Sequence, residues 1–346
     1  MPNASAIDLF CGAGGLAFGM KQAGINIAAG IDIDPACKFP FESNVKAKYI
    51  DSPVEAISGL SLKKMFSKNE IKILAGCAPC QPFSKYSYRY EIEKEKWRLL
   101  YEFLRIAKEM SPAVITMENV AQLEKHKVFN DFCAELKKMR YTVSFSIADC
   151  VSFGIPQTRK RLVLFATKYD SPIELISPSQ MPPGINSVRE AIGDLPPIAA
   201  GESSKTDSLH RSCSLSEKNL KRIKASKPGG TWRDWSKNLR ADCHNKESGQ
   251  TYPAVYGRMK WDEPSPTITT QCFGFGNGRF GHPIQDRAIS LREASILQSF
   301  PRDYVFVDQN QKTTFNKVGR MIGNAVPVRL GLAIGLSILH HLKENP

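Results

Sequence analysis

The chain has 346 residues, 42% of them hydrophobic, enough for one large domain and a smaller one. Its formal net charge of +13 favours a polyanionic partner, nucleic acid before an anionic membrane surface. Residues 1–10 hold no basic stretch followed by an apolar one, and no run of about 18 apolar residues occurs, so neither an export signal nor a spanning helix is expected. Nine scattered cysteines read as free thiols of a cytoplasmic protein, and the Cys77-x-x-Cys80 pair has no second pair at zinc spacing, so no metal is expected.

In chain order, residues 6–10 read as a buried strand, followed by a glycine turn and a helix to about Ala23. Residues 26–31, 47–50, 71–75 and 113–117 read as further short strands. A helix over roughly 96–110 puts Trp97, Leu100, Leu104 and Ala107 on one face, and 128–140 is a helix by the same spacing. Two more strands, 141–147 and 161–167, flank a polar and basic loop. Strands separated by helices predict an α/β fold with a parallel sheet covered on both faces.

The texture changes near Ser171. Residues 171–179 and 181–184 are rich in proline and serine, which predicts a hinge or linker. Residues 203–246 are polar and basic, with Trp232 and Trp235 inside the run. Lys218, Lys221, Arg222, Lys224, Lys227, Arg233, Lys237 and Arg240 are opposed there only by Asp207, Glu217, Asp234 and Asp242. Regular periodicity returns at 291–297 and in a final amphipathic helix at about 326–342.

Three motifs carry chemistry. Asp8-Leu9-Phe10-Cys11-Gly12-Ala13-Gly14-Gly15 lies at a strand-to-helix turn, where glycines allow a tight bend and close approach of a ligand. Asp32, at the end of the second strand, can accept hydrogen bonds from the ribose hydroxyls of a nucleoside cofactor. Gly12-x-Gly14-x-x-Ala17 also fits a dinucleotide fingerprint, so S-adenosylmethionine, a nicotinamide or flavin cofactor, and a plain tight turn all stay open at this point. Pro79-Cys80-Gln81-Pro82-Phe83-Ser84 just follows the fourth strand, which puts Cys80 in the crevice beyond the strand ends. Glu118-Asn119-Val120 follows the fifth strand and reaches the same edge. Singly these are an inert small hydrophobe and a solvated glutamate; together a thiol and a carboxyl can attack and protonate one small ring. In Gln157-Thr158-Arg159-Lys160-Arg161, alternation along a strand puts Arg159 and Arg161 on one face. Their guanidinium groups can then converge on one site; a solvated basic loop is the alternative.

From Asp8 to about Pro327 the chain resembles the cytosine-5 methyltransferase family of bacterial restriction–modification systems, with that family's motifs in that family's order. They are DLFCGAGG at 8–15, Asp32, Asp51, PCQPFS at 79–84, ENV at 118–120, QTRKR at 157–161, PSPTITT at 264–270, GRFGHP at 278–283, LREASILQSFP at 291–301 and IGNAVP at 322–327. Two features depart from the pattern: Asp32, where the family usually carries glutamate, and Cys77, an additional thiol just before the cysteine of PCQ. The resemblance implies a Rossmann-like, doubly wound, S-adenosylmethionine-dependent methyltransferase sheet and a smaller, irregular target-recognition domain. The boundaries it implies are 1–170 completed by 322–346 for the first, and 171–321 for the second with its recognition segment at about 171–263.

The implied reaction moves a methyl group from S-adenosylmethionine to C5 of a cytosine flipped out of a specific duplex DNA sequence, through a covalent Cys80–C6 adduct. Glu118 is implied to contact N3 and the exocyclic amine, Arg161 to hold O2, and Arg159 to orient the pair. Cofactor binding is implied for Asp8, Phe10, Gly12, Gly14, Asp32, Asp51, Pro79 and Asn324. Of these, Phe10 lies against the adenine, Asp51 accepts its amine and Asn324 closes the pocket. The implied protein is a cytoplasmic, DNA-associated monomer without membrane attachment, paired in function with a restriction endonuclease. A tRNA cytosine-5 methyltransferase shares the catalytic residues, but its relatives carry a short recognition segment with Cys-Phe-Thr, a triplet absent here. An NAD-dependent oxidoreductase accounts for the glycine turn alone, and a catalytically dead DNA-binding regulator gives no reason for both Cys80 and Glu118.

Overall fold

The computed structural model describes residues 2–79, 93–308, 310–311 and 314–345, so Cys80 and the rest of PCQPFS lie outside the described residues. The chain divides into two compact units. One comprises Met1–Phe153, Lys160–Pro182 and Ala325–Pro346, the other Gly154–Arg159 and Pro183–Asn324.

The first unit is built on β1 (Ala4–Leu9), β2 (Asn26–Asp32), β3 (Lys48–Asp51), β4 (Ile71–Gly76), β5 (Val114–Val120), β6 (Thr142–Asp149) and β7 (Lys160–Thr167). They form one sheet in the order β3-β2-β1-β4-β5-β7-β6. β1 to β5 pair in parallel, and β7 runs antiparallel between β5 and β6. The winding reverses between β1 and β4, and an open sheet leaves its ligand crevice outside the strand ends at such a point. Its helices are α1 (Gly15–Ala23), α2 (Glu93–Met110), α3 (Lys127–Lys138) and, after α4 (Glu217–Ala225), α5 (Leu291–Leu297) and α6 (Phe315–Asn324) of the second unit, the final α7 (Val328–Glu344).

β1 is buried along its whole length, which requires cover on both faces. α2 supplies Trp97, Leu100, Phe103, Leu104, Ala107 and Met110 to the core, each large side chain worth about 1.5–3 kcal/mol on leaving water. α1 and α7 meet through glycines: a Cβ on Gly19 would lie 2.2 Å from the Val328 carbonyl oxygen. Of the proline- and serine-rich stretch, the residues up to Pro182 belong to this unit, and the division between the units falls at Pro182–Pro183, within the predicted linker. Ile173 is buried, its carbonyl accepts from the Ser144 hydroxyl, and the Ile176 N–H donates to Ser337 Oγ at 2.9 Å.

The second unit is mostly irregular. Gln157–Thr158 pairs in parallel with Ser265–Pro266, and Ile223, Trp232, Trp235, Phe275 and Ala288 form an apolar centre. Trp232 Nε1 donates to the Tyr252 carbonyl and Trp235 Nε1 to Ser226 Oγ, both at 3.0 Å, and the His244 ring stacks on Trp232 with centroids 4.1 Å apart. The two tryptophans of the basic run are therefore core. Buried charges brace the rest: Arg287 grips Glu293 with two contacts of 2.7 Å, and Arg258 donates to the carbonyls of Ile223, Ser226, His282 and Gln285 and to Asp286.

Candidate active site

The glycine turn leaves the sheet at Leu9. Phe10 adopts φ 58°, Gly12 φ 49° and Gly14 φ 93°, so the strand ends one residue before its expected end and the chain bends into α1. Asp32 at the end of β2 fixes this bend: its Oδ2 accepts from the Gly12 N–H at 2.8 Å and its Oδ1 from the Asp34 N–H at 3.0 Å. Each oxygen keeps a further lone pair. Burial pushes the Asp32 carboxyl above its ordinary range, and those two amides pull it back. Asp51 is exposed and pairs in register with Asp32 across β2 and β3. Ile33, outside every motif, is 67% exposed beside Asp32; its signal in the sequence is an apolar residue directly after an acidic strand end.

Asp8 is 1% exposed, and among the described residues neither of its carboxylate oxygens reaches full hydrogen-bonding geometry. Burial raises its pKa to about 8; the Ala17 amide works against the rise and the charge of Asp32 adds to it. Cys11, inside the same motif, is buried and its thiol is pushed well up by that burial, which makes it inert. The turn fits S-adenosylmethionine. A Cβ on Gly12 would meet nothing within 4 Å, so the peptide edge is open to a ligand. Asp32 and Asp51 offer acceptors for a ribose diol and an adenine amine, and the orphaned carboxyl of Asp8 suits a cationic group.

The second cluster sits at the ends of β4 and β5. Glu118 lies within β5 rather than after it. The β4–β5 ladder stops at Gly76 and Met117, but β7 pairs with β5 as far as Val120 opposite Arg161. The antiparallel partner thus carries the strand past the end of its parallel one. Glu118 is 2% exposed, with Arg161 Nε 3.0 Å from its Oε1 and the Cys77 thiol donating to its Oε2 at 3.0 Å. Asn119 donates from Nδ2 to the Ala78 carbonyl at 3.1 Å, pinning the chain just before exposed Pro79. Nothing in the Glu118-Asn119-Val120 motif alone marks Asn119 as this anchor, because its partner lies 41 residues earlier in the chain.

Arg159 departs from expectation. No strand runs through it: residues 157–158 and β7 are separate, and Arg159 belongs to the second unit, where its guanidinium donates to the Ile268 carbonyl at 3.2 Å. Alternation along one strand therefore does not relate it to Arg161. Gln157, another residue without an assigned role, is fully buried. Its side chain accepts from the Ile268 N–H at 3.0 Å and donates to the Leu297 carbonyl at 3.1 Å and to Gln298. Thr267 Oγ1 donates to the Thr158 carbonyl at 2.6 Å, so QTR and PSPTITT form one piece. Asn324 is exposed at the last position of α6, beside Gly323, whose Cβ would meet the Thr269–Thr270 backbone at 2.3 Å.

The strand order, the glycine turn and the acidic ends of β2 and β3 define an S-adenosylmethionine-dependent methyltransferase. Among solved structures, that of a protein described as a DNA modification methyltransferase of an Escherichia coli prophage superposes with a TM-score of 0.74 at 20% identity, over 98% of this chain and 99% of that one. The S. pombe Dnmt2 methyltransferase superposes with a TM-score of 0.62 at 17% identity, over 99% of both chains. Both likenesses concern the fold. Residues 4–340 match the C-5 cytosine-specific DNA methylase family. A Type II methylase of Herpetosiphon aurantiacus, M.HgiDII, is 48% identical over 98% of this chain and 96% of its own length. The Type II methyltransferase M1.HphI of Haemophilus parahaemolyticus is 30% identical over 96% and 86%. The chain belongs to the C-5 cytosine-specific DNA methylase family and is an S-adenosylmethionine-dependent DNA cytosine-5 methyltransferase.

Proposed function

We propose that Cys80 is the nucleophile and Glu118 the acid of this reaction, and that the enzyme modifies one specific duplex sequence as the protective half of a restriction–modification system. The observation that supports it is the buried Glu118, held between Arg161 and Cys77 on the strand next to the one that leads into Cys80. Cytosine C5 is too weak a nucleophile to take a methyl group unaided. The Cys80 sulfur adds to C6 while Glu118 gives a proton to N3, and the electrons of the C5–C6 bond become available at C5. S-adenosylmethionine, when bound, supplies an activated methyl group. Once C5 carries the methyl group, a water takes the C5 proton, the C5–C6 double bond re-forms as Cys80 leaves as the thiolate, and the N3 proton returns to Glu118.

Arg161 keeps Glu118 in place and reaches O2 of the base; Arg159, held by the Ile268 carbonyl, orients the pair. Asp32 takes the ribose hydroxyls, Asp51 the adenine amine, and Phe10 and Ile33 offer apolar faces to the ring. Gly12 and Gly14 admit the cofactor to the backbone, Asp8 faces its cationic portion, Pro79 lines its reactive end and Asn324 closes the pocket. The base must leave the helix first, at a cost of a few kcal/mol of stacking. The enzyme acts as a monomer at the nucleoid, and a restriction endonuclease of the same target is its counterpart.

The test is a duplex with 5-fluorocytosine at the target. Fluorine does not depart as a cation, so the wild-type enzyme is trapped covalently and the adduct maps to Cys80. A trapped adduct at any other cysteine, or normal turnover by Cys80→Ala, overturns this mechanism.

A further inference from the structure

Cys77 is the thiol that the family pattern leaves unexplained. Gly76 pairs with Met117, so the next residues, Cys77 and Glu118, lie side by side at the ends of β4 and β5. The Cys77 thiol donates to Glu118 Oε2 at 3.0 Å. The other oxygen, Oε1, is buried and, among the described residues, lacks a hydrogen bond of proper geometry, although Arg161 Nε lies 3.0 Å away. A buried carboxylate oxygen left in that condition points to a polar partner that arrives with the substrate.

We infer that Cys77 is a positioning residue: its thiol holds Oε2 of Glu118, which presents Oε1 toward the target base. Resting on the reading of Glu118 as the acid, this explains two things at once. The carboxylate has several side-chain rotamers at a strand end, and two contacts, one per oxygen, fix both its position and its roll. Arg161 alone, approaching Oε1 through Nε, leaves the roll undetermined. The thiol is a weak donor, so it restrains the carboxylate without removing the second lone pair of Oε2, which stays available to the exocyclic amine. No covalent step passes through Cys77.

Three substitutions separate this role from packing. Cys77→Ser keeps a donor and loses volume; Cys77→Val keeps volume and loses the donor; Cys77→Ala loses both. Single-turnover methylation of a target duplex is measured for each, with S-adenosylmethionine and DNA affinities measured by calorimetry to establish folding. Positioning predicts that Ala and Val lower the methylation rate by roughly tenfold or more, the size of one lost hydrogen bond to a charged group. Cofactor affinity stays unchanged in both, and Ser recovers most of the rate. Wild-type rates for Ala and Val overturn the inference. A rate recovered by Val and not by Ser shows packing and overturns it equally, as does an equal loss in all three. Glu118→Gln is the control: full activity there sinks the reading of Glu118, whereas an inactive Glu118→Gln beside active Ala and Val variants sinks the role of Cys77 alone.

Discussion

Asp8 is an ionisable group placed where its charge is costly. With burial outweighing the Ala17 amide and raising its pKa to about 8, it is mostly protonated near neutrality. The unfolded chain releases that proton near its ordinary value of 3.8, so between the two values the folded state binds more protons. Stability from this group is whole below the lower value and is lost as pH rises through the upper. Cofactor-free wild-type enzyme should therefore lose stability toward pH 8.5, by an amount on the order of a few kcal/mol. Asp8→Asn, neutral throughout, should remove that slope. Urea melts of both proteins at several pH values check this, and parallel stability curves would sink it. Asp32 gives a second test. Its oxygens both hold backbone amides and keep lone pairs for a ligand. Asp32→Ala should weaken S-adenosylmethionine binding by about ten- to a hundredfold, one charge-assisted contact. Calorimetry reads it directly, and unchanged affinity removes Asp32 from the cofactor site.

At the scale of elements, the glycine seam between α1 and α7 ties the turn to the C-terminal helix. Gly19→Val would force a side chain onto the Val328 carbonyl, 2.2 Å from where its Cβ must go. The helices must part, at roughly 1–3 kcal/mol or more for overpacking. Because α1 carries the glycine turn, cofactor affinity should fall together with the melting temperature; a stable variant with normal affinity would show the seam to be slack. The glycine turn, the strands and Glu118 were legible in the sequence because each depends on local chemistry: φ > 0, an apolar run, an acid beside a strand end. What was not legible depends on partners distant in the chain. β5 extends through Glu118 because an antiparallel strand more than 40 residues later pairs with it. The strand reading across Arg159 failed because Gln157–Thr158 pairs with Ser265–Pro266 while Lys160 onward pairs with β6 and β5. Trp232 and Trp235, inside a basic run, are indistinguishable by composition from surface aromatics. Their burial follows from Ile223, Phe275 and Ala288 gathering around them.

At the scale of the whole molecule, the net charge of +13 has to be divided between DNA binding and scaffolding. Arg222 belongs to the scaffold: it is buried, donates to the Leu239 carbonyl at 2.7 Å and lies against Trp235 and Tyr256. Lys218, Lys221 and Lys224 of α4 and Arg233 are exposed. Arg222→Ala should lower the melting temperature and impair binding of every sequence. An α4 lysine replaced by Ala should leave stability alone, weaken binding to all DNA and reduce the salt slope by about one. Arg233→Ala, where that side chain reads a guanine, should cost roughly 1–3 kcal/mol at one base position. Target choice itself should lie within residues 203–246. The shorter segment keeps Arg258 with His282, Gln285 and Asp286, and the exchange keeps Ile223, Ser226, Trp232, Trp235 and His244 in place because Arg258 also holds the Ile223 and Ser226 carbonyls. Replacing it with the counterpart from a relative of known target should transfer that relative's target sequence while the methylated atom stays C5. Bisulfite sequencing of DNA from cells carrying the chimera reads both. An active, folded chimera that still methylates the parental sequence would place specificity elsewhere in the chain.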